Sequence, residues 1–230
     1  MITQADIKRI RSLHEKKFRD SLGLFIVEGE KMVREARDSG FEIVAEYRRE
    51  DIGEETMRRI SSMDSSSPVL ALVRRREKPC DDFSGLCVAL DAVRDPGNMG
   101  TILRVCDWFG VKTVYASADT VELYNPKVVA ASMGAIFRVN VVYCDLEDVC
   151  RSFARKGLPV YGTFLNGNNI YEAGLGAEGL VVMGNEAHGI SDGIAALVSD
   201  RLTIPSFGGS ESLNVAAATA VTLSEFRRRI

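Results

Sequence analysis

The sequence predicts an α/β protein in two domains, and the second domain is expected to contain a parallel sheet. Strand-like runs of aliphatic residues alternate with helical segments along all 230 residues. The runs after residue 85 are apolar throughout, which is typical of parallel strands buried on both faces. Arg74 to Ser84 is charged, contains Pro79 and lacks periodicity. The domain boundary is therefore predicted there, with residues 76–84 as a linker.

Residues 1–75 are predicted to form a small α/β/α sandwich, because short apolar runs alternate with amphipathic segments. The predicted elements are a helix over 3–20, a strand at 24–27, a helix around Met32, Val33 and Ala36, a strand at 41–47, a helix over 54–62 and a strand at 69–73.

Residues 85–230 are predicted to form the second domain. Strands are expected at 86–90, 111–115, 138–143, 159–164, 180–183 and 202–204, and helices at 99–109, 125–136, 146–156 and 194–198. Residues 166–169, rich in Asn and Gly, are expected to be a loop. The last helix follows Ser212, which stands where an N-cap would.

Composition narrows the functional classes. Five cysteines without a CxxC pair and two distant histidines argue against disulfide bridges and against a metal site. No apolar run is long enough to span a bilayer, and residues 1–20 are too charged for a signal peptide. A cytoplasmic protein is expected. The net charge is −3, yet cations cluster before residue 77; such clusters can bind phosphate backbones or can be solvated helix faces.

Three polar loops follow predicted strands, and ligands of open α/β sheets bind at the carboxyl ends of strands. The loops read DAVRDPGNMGTILR, MGNEAHGIS and IPSFGGSESLNVA. None contains GxGxxG or GxxxxGK[ST], so the dinucleotide fingerprint and the phosphate-binding P-loop are both missing. A nucleotide-dependent oxidoreductase is accordingly the weakest of the candidate functions.

Together the three loops resemble the motifs of the SpoU/TrmH family of RNA ribose 2′-O-methyltransferases, within the SPOUT superfamily. The matching residues are Asp95-Pro96-Gly97-Asn98-Met99-Gly100 with Arg104, then Met183-Gly184-Asn185-Glu186 and Gly189, then Ile204-Pro205 and Ser212-Leu213-Asn214-Val215-Ala216. Ala187-His188 departs from the family, which often has Gly-Glu or Gly-Asn there. Residues near Lys8 and Phe25-Ile26-Val27-Glu28-Gly29 resemble the family's RNA substrate-binding domain, itself similar to ribosomal protein L30e.

The resemblance implies a deep trefoil knot in the second domain, a homodimer and S-adenosylmethionine as cofactor. It implies that the cofactor is bound around Gly184, Ile204, Leu213 and Asn214, with Thr163 nearby. Neither the knot nor the cofactor follows from periodicity or composition.

The resemblance also implies a set of catalytic residues: Arg104, Asn98, Glu186, Ser212 and Asn214. Methyl transfer to a ribose hydroxyl requires an aligned donor and acceptor, loss of the hydroxyl proton and control of the adjacent phosphate. Arg104 can act as the base, or as a clamp on the phosphate and the developing alkoxide, for which a guanidinium is better suited. Its alternative is a plain helix-surface arginine.

The remaining four residues also have structural alternatives. Asn98 can position Arg104 or the ribose, or cap the helix. Glu186 can order Asn98 and Arg104, or be a first-turn helix carboxylate. Ser212 and Asn214 can contact donor or substrate, or cap the last helix.

The sequence therefore predicts an S-adenosylmethionine-dependent enzyme that methylates a ribose 2′-hydroxyl in structured RNA, with ribosomal RNA favoured. Two alternatives stay open at this point. One is a transfer RNA 2′-O-methyltransferase, and the other is a catalytically idle RNA-binding or ribosome-assembly protein on the same fold.

Overall fold

The chain forms two compact units. The structure, a computed structural model, describes residues 2–63, 65–76 and 83–228. One unit comprises Met1–Glu77 with Glu122–Arg138, and the other comprises Lys78–Val121 with Val139–Ile230. The segment 122–138 is therefore grouped with the N-terminal residues, although it lies between strands of the second unit along the chain. Most of the predicted linker, residues 77–82, lies outside the described residues.

The first unit contains an antiparallel sheet in the order β1-β3-β2 with helices on it. Its strands are β1 (Leu24–Glu28), β2 (Ile43–Arg48) and β3 (Val69–Arg74). Numbered along the whole chain, its helices are α1 (Gln4–Ser12), α2 (Lys16–Leu22), α3 (Glu30–Asp38), α4 (Arg49–Ile52), α5 (Glu54–Ile60) and α7 (Pro126–Ser132), followed by a 3-10 turn at Ala135–Phe137.

Alternation along β1 divides the core of this unit between the two sheet faces. Leu24 and Ile26 pack in one cluster with buried residues of α1 and α5. The intervening Phe25 lies against Phe41 and Tyr124, with ring centroids 6.4 and 4.4 Å away. Tyr124 belongs to the 122–138 segment, so this segment completes the core of the first unit.

The predicted single helix over 3–20 is wrong, because the chain turns between α1 and α2. Leu13 is fully buried at the end of α1, and the Nε2 atom of His14 lies 3.2 Å from the carbonyl oxygen of Ile60. The turn redirects α2 so that Arg19, one of the clustered cations before residue 77, is only 2% exposed. Tertiary burial has overridden local helix propensity here.

Arg19 forms a buried ion pair with Glu122 inside the first unit. Its Nη2 and Nε atoms donate to Glu122 Oε2 at 2.6 and 3.1 Å, and its Nη1 donates to the carbonyl of Leu13 at 2.7 Å. Glu122 also accepts a hydrogen bond from the backbone N–H of Tyr124 through Oε1 at 3.0 Å. The pair therefore ties the 122–138 segment to α2.

The second unit contains a parallel sheet in the order β6-β5-β4-β8-β7-β9. This confirms the predicted α/β class. Its strands are β4 (Leu86–Leu90), β5 (Thr113–Ala116), β6 (Asn140–Tyr143), β7 (Val160–Asn169), β8 (Gly179–Met183) and β9 (Asp200–Thr203). Because β4, β8, β7 and β9 are successive neighbours, the loops at their carboxyl ends follow one edge of the sheet.

Residues 166–169 are not the predicted loop, since β7 continues through them. After a register shift, Asn168 and Asn169 pair with Leu202 and Thr203 of β9. Gly167 makes the close approach possible, because a Cβ atom there would lie 2.7 Å from the carbonyl oxygen of Arg201. The glycine that suggests a loop in the sequence is instead required for strand pairing.

Helices pack on this sheet, and two of them begin directly after polar loops. The helices are α6 (Pro96–Trp108), α8 (Leu146–Arg155), α9 (Asp192–Ala195) and α10 (Val215–Arg228). Residues of α8 and α9 form one core cluster with alternate strand residues. Helices α6 and α10 pack against each other. The trefoil knot concerns the chain path, which strand order does not test, and it stays a prediction.

No helix among the described residues is long and apolar enough to cross a bilayer.

We predict that removing the carboxylate of the buried pair destabilises the protein strongly. Glu122→Ala leaves the Arg19 guanidinium buried without its partner, which should lower the free energy of unfolding by about 3–5 kcal/mol. Arg19→Met/Glu122→Leu together should recover most of that loss. Urea unfolding measures both. The matched control is Arg37→Ala, which breaks the exposed Arg37–Glu46 pair and should cost at most about 1 kcal/mol. Equal losses in Glu122→Ala and Arg37→Ala would contradict the argument.

Candidate active site

The loop between β4 and α6 presents Asn98 from the first turn of the helix. Asp95, with an extended backbone, is the N-cap, and its Oδ1 accepts a hydrogen bond from the backbone N–H of Asn98 at 2.7 Å. Pro96 follows at the first helical position, where its missing N–H is harmless. The helix therefore begins three residues before the predicted Met99. Because Asp95 is the cap, the Asn98 side chain is available for other contacts.

The loop after β8 is a tight turn organised by Asn185. The backbones of Asn185 and Gly189 exchange two hydrogen bonds of 2.9 Å. Within the turn, the Asn185 Oδ1 atom accepts from the backbone N–H groups of Ala187 and His188 at 2.9 and 3.1 Å. Glu186 is thereby exposed on a loop, and the alternative of a helix carboxylate is wrong.

Asn185 also braces the neighbouring loop. Its Nδ2 atom donates to the carbonyl oxygen of Ala92 at 2.6 Å. Ala92 has a φ of 55°, which is uncommon for a residue with a side chain. The hydrogen bond helps to hold this unfavourable turn, so the loops after β4 and β8 are fixed to each other.

The N-cap of α10 is Asn214, and the prediction of Ser212 is wrong. The Asn214 Oδ1 atom accepts from the backbone N–H groups of Ala216 and Ala217 at 2.9 and 3.3 Å. The cap lies two residues later than predicted because β9 is followed by an extended loop through residue 214. Ser212 is exposed, and within the described part of the chain its hydroxyl makes no hydrogen bond. Its side chain is therefore open to a ligand.

Three loops meet in a chain of hydrogen bonds centred on Asn98. The Asn214 Nδ2 atom donates to Asn98 Oδ1 at 2.8 Å, and Asn98 Nδ2 donates to Glu186 Oε1 at 2.9 Å. Since Asn214 uses its oxygen to cap α10, it must offer its N–H₂ group to Asn98. The Asn98 oxygen then faces Asn214 and its amide nitrogen faces the carboxylate. Helix capping thus sets the direction of the whole network.

Arg104 lies outside this network. It is exposed on α6, six residues or about 9 Å along the axis from Asn98. Gly97, Thr101 and Trp108 share its exposed stripe at helical spacing, and Trp108 is 85% exposed. Within the described residues the Arg104 guanidinium forms no hydrogen bond or ion pair. The guanidinium is therefore available to a substrate, as the predicted role requires. In the chain by itself, Arg104 has the position of the alternative, a helix-surface arginine.

The residues expected to hold the cofactor come from within β7, from the carboxyl ends of β8 and β9, and from the residues directly before α10. Thr163 donates from Oγ1 to the carbonyl of Val182 at 3.2 Å. Ile204 follows β9 and is half-buried, and Leu213 is 54% exposed. This combination of backbone groups, one hydroxyl and uncovered aliphatic surface fits a nucleoside-bearing cofactor.

Gly184 is required by the turn itself. A Cβ atom at this position would lie 2.3 Å from the carbonyl carbon of Gly189 and 2.4 Å from the backbone nitrogen of Ile190. The backbone of the turn therefore folds directly over residue 184. Its expected place in the cofactor site depends on this close approach.

Two residues to which the sequence analysis gave no role hold the site together. Asn185 braces the loops as described above. Asp91, 7% exposed at the end of β4, accepts from the backbone N–H of Ser191 through Oδ2 at 2.7 Å. The available signals were an Asp directly after a buried strand and an Asn between Gly and Glu, both common in turns.

Two cysteines of the second unit, Cys106 and Cys150, are unsuited to nucleophilic chemistry. Burial raises the pKa of the Cys106 thiol far above its ordinary range and raises the pKa of Cys150 to about 11. Both stay protonated near neutral pH and are poor nucleophiles. Cys80 lies outside the described residues. In the described ranges, no group of three or more His, Cys, Asp and Glu side chains is arranged to hold a metal ion.

Fold and site together define a class: an α/β enzyme whose polar loops, at the carboxyl edge of a parallel sheet, lack both nucleotide-phosphate motifs. Comparison with known proteins specifies the family. The model of the SpoU rRNA Methylase family matches residues 85–224, and that of an MRM3-like substrate binding domain matches residues 4–79. The chain belongs to the SpoU rRNA methylase family and is an RNA methyltransferase, which confirms the resemblance found in the three motifs.

Related proteins match over nearly the whole chain. A TrmH-family putative RNA methyltransferase from Porphyromonas gingivalis is 39% identical, with a TM-score of 0.92 and 100% of each chain covered. An AdoMet-bound rRNA methyltransferase from Sinorhizobium meliloti is 30% identical, with a TM-score of 0.90, covering 100% of this chain and 97% of that one. The 23S rRNA (guanosine(2553)-2′-O)-methyltransferase RlmP of Bacillus subtilis is 28% identical over 96% of this chain and 95% of its own.

We predict that Gly184→Ala disrupts the turn after β8. The added methyl group would clash with backbone atoms of Gly189 and Ile190, which cannot rotate away, so the free energy of unfolding should fall by about 1–3 kcal/mol. Urea unfolding provides the measurement. Gly174→Ala is the matched control, because a Cβ atom there meets nothing within 4 Å. The steric argument fails if both variants are equally stable.

We also predict that Asn214 and Ser212 differ in their effect on stability. Asn214→Ala removes the cap of α10 and should lower the free energy of unfolding by about 1 kcal/mol. Ser212→Ala removes an exposed hydroxyl and should leave it unchanged. Thermal and urea unfolding of the two variants side by side make the comparison. A larger loss in Ser212→Ala would return the cap to that residue.

Proposed function

We propose that this protein transfers the methyl group of S-adenosylmethionine to a ribose 2′-hydroxyl in ribosomal RNA. The observation that carries the proposal is the hydrogen-bonded chain Asn214–Asn98–Glu186, which joins the three loops quoted from the sequence. Two relatives support the substrate class: RlmP, named for 2′-O-methylation of 23S rRNA, and the rRNA methyltransferase of S. meliloti. An idle scaffold is disfavoured, because it would have no need to keep this polar network assembled.

The cofactor would be held by five residues within β7, after β8 and β9, and at the start of α10: Thr163, Gly184, Ile204, Leu213 and Asn214. Support comes from the S. meliloti relative, whose structure contains bound AdoMet. When bound, S-adenosylmethionine supplies an electrophilic methyl group on a sulfonium centre. The exposed Leu213 side chain and half-buried Ile204 give apolar surface for its nucleoside portion.

Asn98 and Ser212 are proposed to orient the ribose. Asn98 keeps one N–H and one oxygen lone pair free beyond its contacts with Glu186 and Asn214. Both free positions have a fixed direction, because the Asn214 cap and the Glu186 carboxylate lock the amide. Such an amide can bind a hydroxyl without reorganising, which is the condition for efficient positioning. The unpartnered Ser212 hydroxyl adds a second donor and acceptor.

Arg104 is proposed to act on the phosphate and the developing alkoxide. Exposure on α6 leaves its five N–H donors directed to solvent, so an incoming RNA can take them without breaking an existing contact. A planar guanidinium with several N–H donors suits the clamp role better than the base role. Arg104 would offset the negative charge that develops on the 2′-oxygen as the hydroxyl proton passes to solvent.

The proposal extends to the assembly and location of the protein. We expect a knotted second unit, a homodimer with its sites close to the subunit interface, and a cytoplasmic enzyme. The first unit is proposed to bind the RNA substrate; the match of residues 4–79 to a substrate binding domain supports this role.

We predict that Arg104→Ala separates cofactor binding from turnover. The wild type should bind S-adenosylmethionine in calorimetry and transfer its labelled methyl group to 23S ribosomal RNA from a strain that lacks the protein. Arg104→Ala should bind the cofactor normally yet lose at least about 100-fold in transfer rate. Arg104→Lys keeps a positive charge but loses the planar fork of donors, so under the clamp role it should recover only part of the loss.

Arg151→Ala serves as the control, because Arg151 is an exposed arginine on α8, paired with Glu147. It should be as active as the wild type. Undiminished transfer by Arg104→Ala would remove Arg104 from the mechanism. Transfer by the wild type to transfer RNA in place of ribosomal RNA would change the substrate and leave the site intact.

A further inference from the structure

Ion pairing divides the cations of the first unit into two groups. Half of the arginines on its surface are matched by a carboxylate within 4 Å. Those are Arg37, Arg48, Arg49, Arg74, Arg75 and Arg138. A paired guanidinium has its donors occupied and much of its charge compensated, so it attracts an external anion weakly.

The second group is concentrated on α1 and α5. Lys8 and Arg11 on α1, and Arg58 and Arg59 on α5, are exposed. None of the four forms an ion pair with any residue that the structure describes. These four charges thus differ from the six paired arginines of the same unit.

The four cations lie on neighbouring helices. Gln4, Lys8 and Arg11 follow the i, i+4, i+7 spacing of one helical stripe. Arg59 Nη2 donates to Gln4 Oε1 at 3.5 Å, so this stripe borders α5. Beneath it, Ile7 and Ile10 of α1 share a buried cluster with Met57 and Ile60 of α5. We call Lys8, Arg11, Arg58 and Arg59 the α1–α5 basic face.

Few carboxylates oppose this face. Asp6 of α1 is held by Thr3, whose backbone N–H and hydroxyl both donate to it. These bonds, with the nearby charge of Arg9, lower the pKa of Asp6. On α5, Glu54 precedes Arg58 by four residues but forms its ion pair with Arg49. Glu55 precedes Arg58 and Arg59 by three and four residues and forms no ion pair within the described chain. The face therefore keeps a net positive charge in a protein whose formal charge is −3.

Other unpaired cations of this unit stand apart from the face. Arg9 lies on the opposite side of α1 from Lys8 and Arg11 by helical spacing. Arg34 on α3 and Lys127 on α7 are single exposed charges on other helices. Arg76, after β3, donates to the carbonyl oxygens of Ser39 and Gly40. Among the described residues of this unit, only α1 and α5 bring several open cations onto neighbouring helices.

We propose that the α1–α5 basic face is where the phosphate backbone of the RNA substrate docks on the first unit. The inference rests on the proposed function and adds the surface that grips the RNA. Like charges held on adjacent helices repel each other in the free protein, and phosphates relieve that repulsion while releasing counterions. The overall negative charge gives no general attraction to RNA, so affinity must come from a local surface. The paired arginines elsewhere on the unit are not part of it.

The test compares two variants that lose four positive charges each. Lys8→Gln/Arg11→Gln/Arg58→Gln/Arg59→Gln removes the face, and Arg37→Gln/Arg48→Gln/Arg49→Gln/Arg74→Gln removes paired arginines from the same unit. Binding to unmodified 23S ribosomal RNA is measured over a range of salt concentrations, with S-adenosylmethionine binding and the melting temperature as checks of folding. The face variant should bind at least about tenfold more weakly, and its log–log salt slope should shrink by about 3. The control variant should bind within about twofold of the wild type.

A third variant tests the opposite direction, which misfolding cannot imitate. Glu55→Gln removes a carboxylate that forms no ion pair with any described residue and lies one turn before Arg58 and Arg59, and it should tighten RNA binding about two- to threefold. Equal weakening in the face and control variants, or no weakening in either, would overturn the docking surface while leaving the enzyme assignment untouched. A wild type that binds S-adenosylmethionine and methylates no RNA would instead overturn the proposed function and the inference with it.

Discussion

The Asn98 side chain is held between a donor and an acceptor, and the arrangement of the polar site depends on that constraint. A helix-capping requirement lies at its origin. Because α10 begins with unsatisfied N–H groups, Asn214 must turn its oxygen toward them, and its amide nitrogen is left to donate to Asn98. Asn98 then has one orientation, with its own amide nitrogen toward Glu186. A purely local rule of helix termini thereby fixes groups on three separate loops.

This arrangement explains why the loops can be polar and exposed yet ordered. Each has its own internal support: Asp95 caps α6, Asn185 closes the turn after β8, and Asn214 caps α10. The hydrogen bond from Asn185 to Ala92 then joins two of the loops. Preorganisation of this kind keeps the reorganisation cost of substrate binding low, which is how an enzyme uses polar groups to position a reacting hydroxyl.

The first unit is discontinuous in sequence, so a single cut in the chain cannot separate it from the second unit. Glu122 neutralises the buried Arg19, and Tyr124 packs against Phe25, so residues 122–138 contribute to its core. Cutting the chain before residue 85 would remove their partners and expose that segment. Point substitutions on exposed helices are therefore the sounder probe of RNA binding.

The sequence by itself determined the alternation of elements, the parallel character of the second sheet, the three loops at its edge and, through their motifs, the family. These features are local, because strand runs, turn residues and short motifs depend on neighbours within a few positions. Tertiary structure alone decided that residues 166–169 join β7, that the helix over 3–20 breaks, and that Arg19 is buried. Each of these depends on partners far away in sequence, such as Glu122 for Arg19 and Leu202 for Asn168. The fold also decided which cations form ion pairs, because the sequence gives the number of charged residues but not which carboxylates lie near which cations.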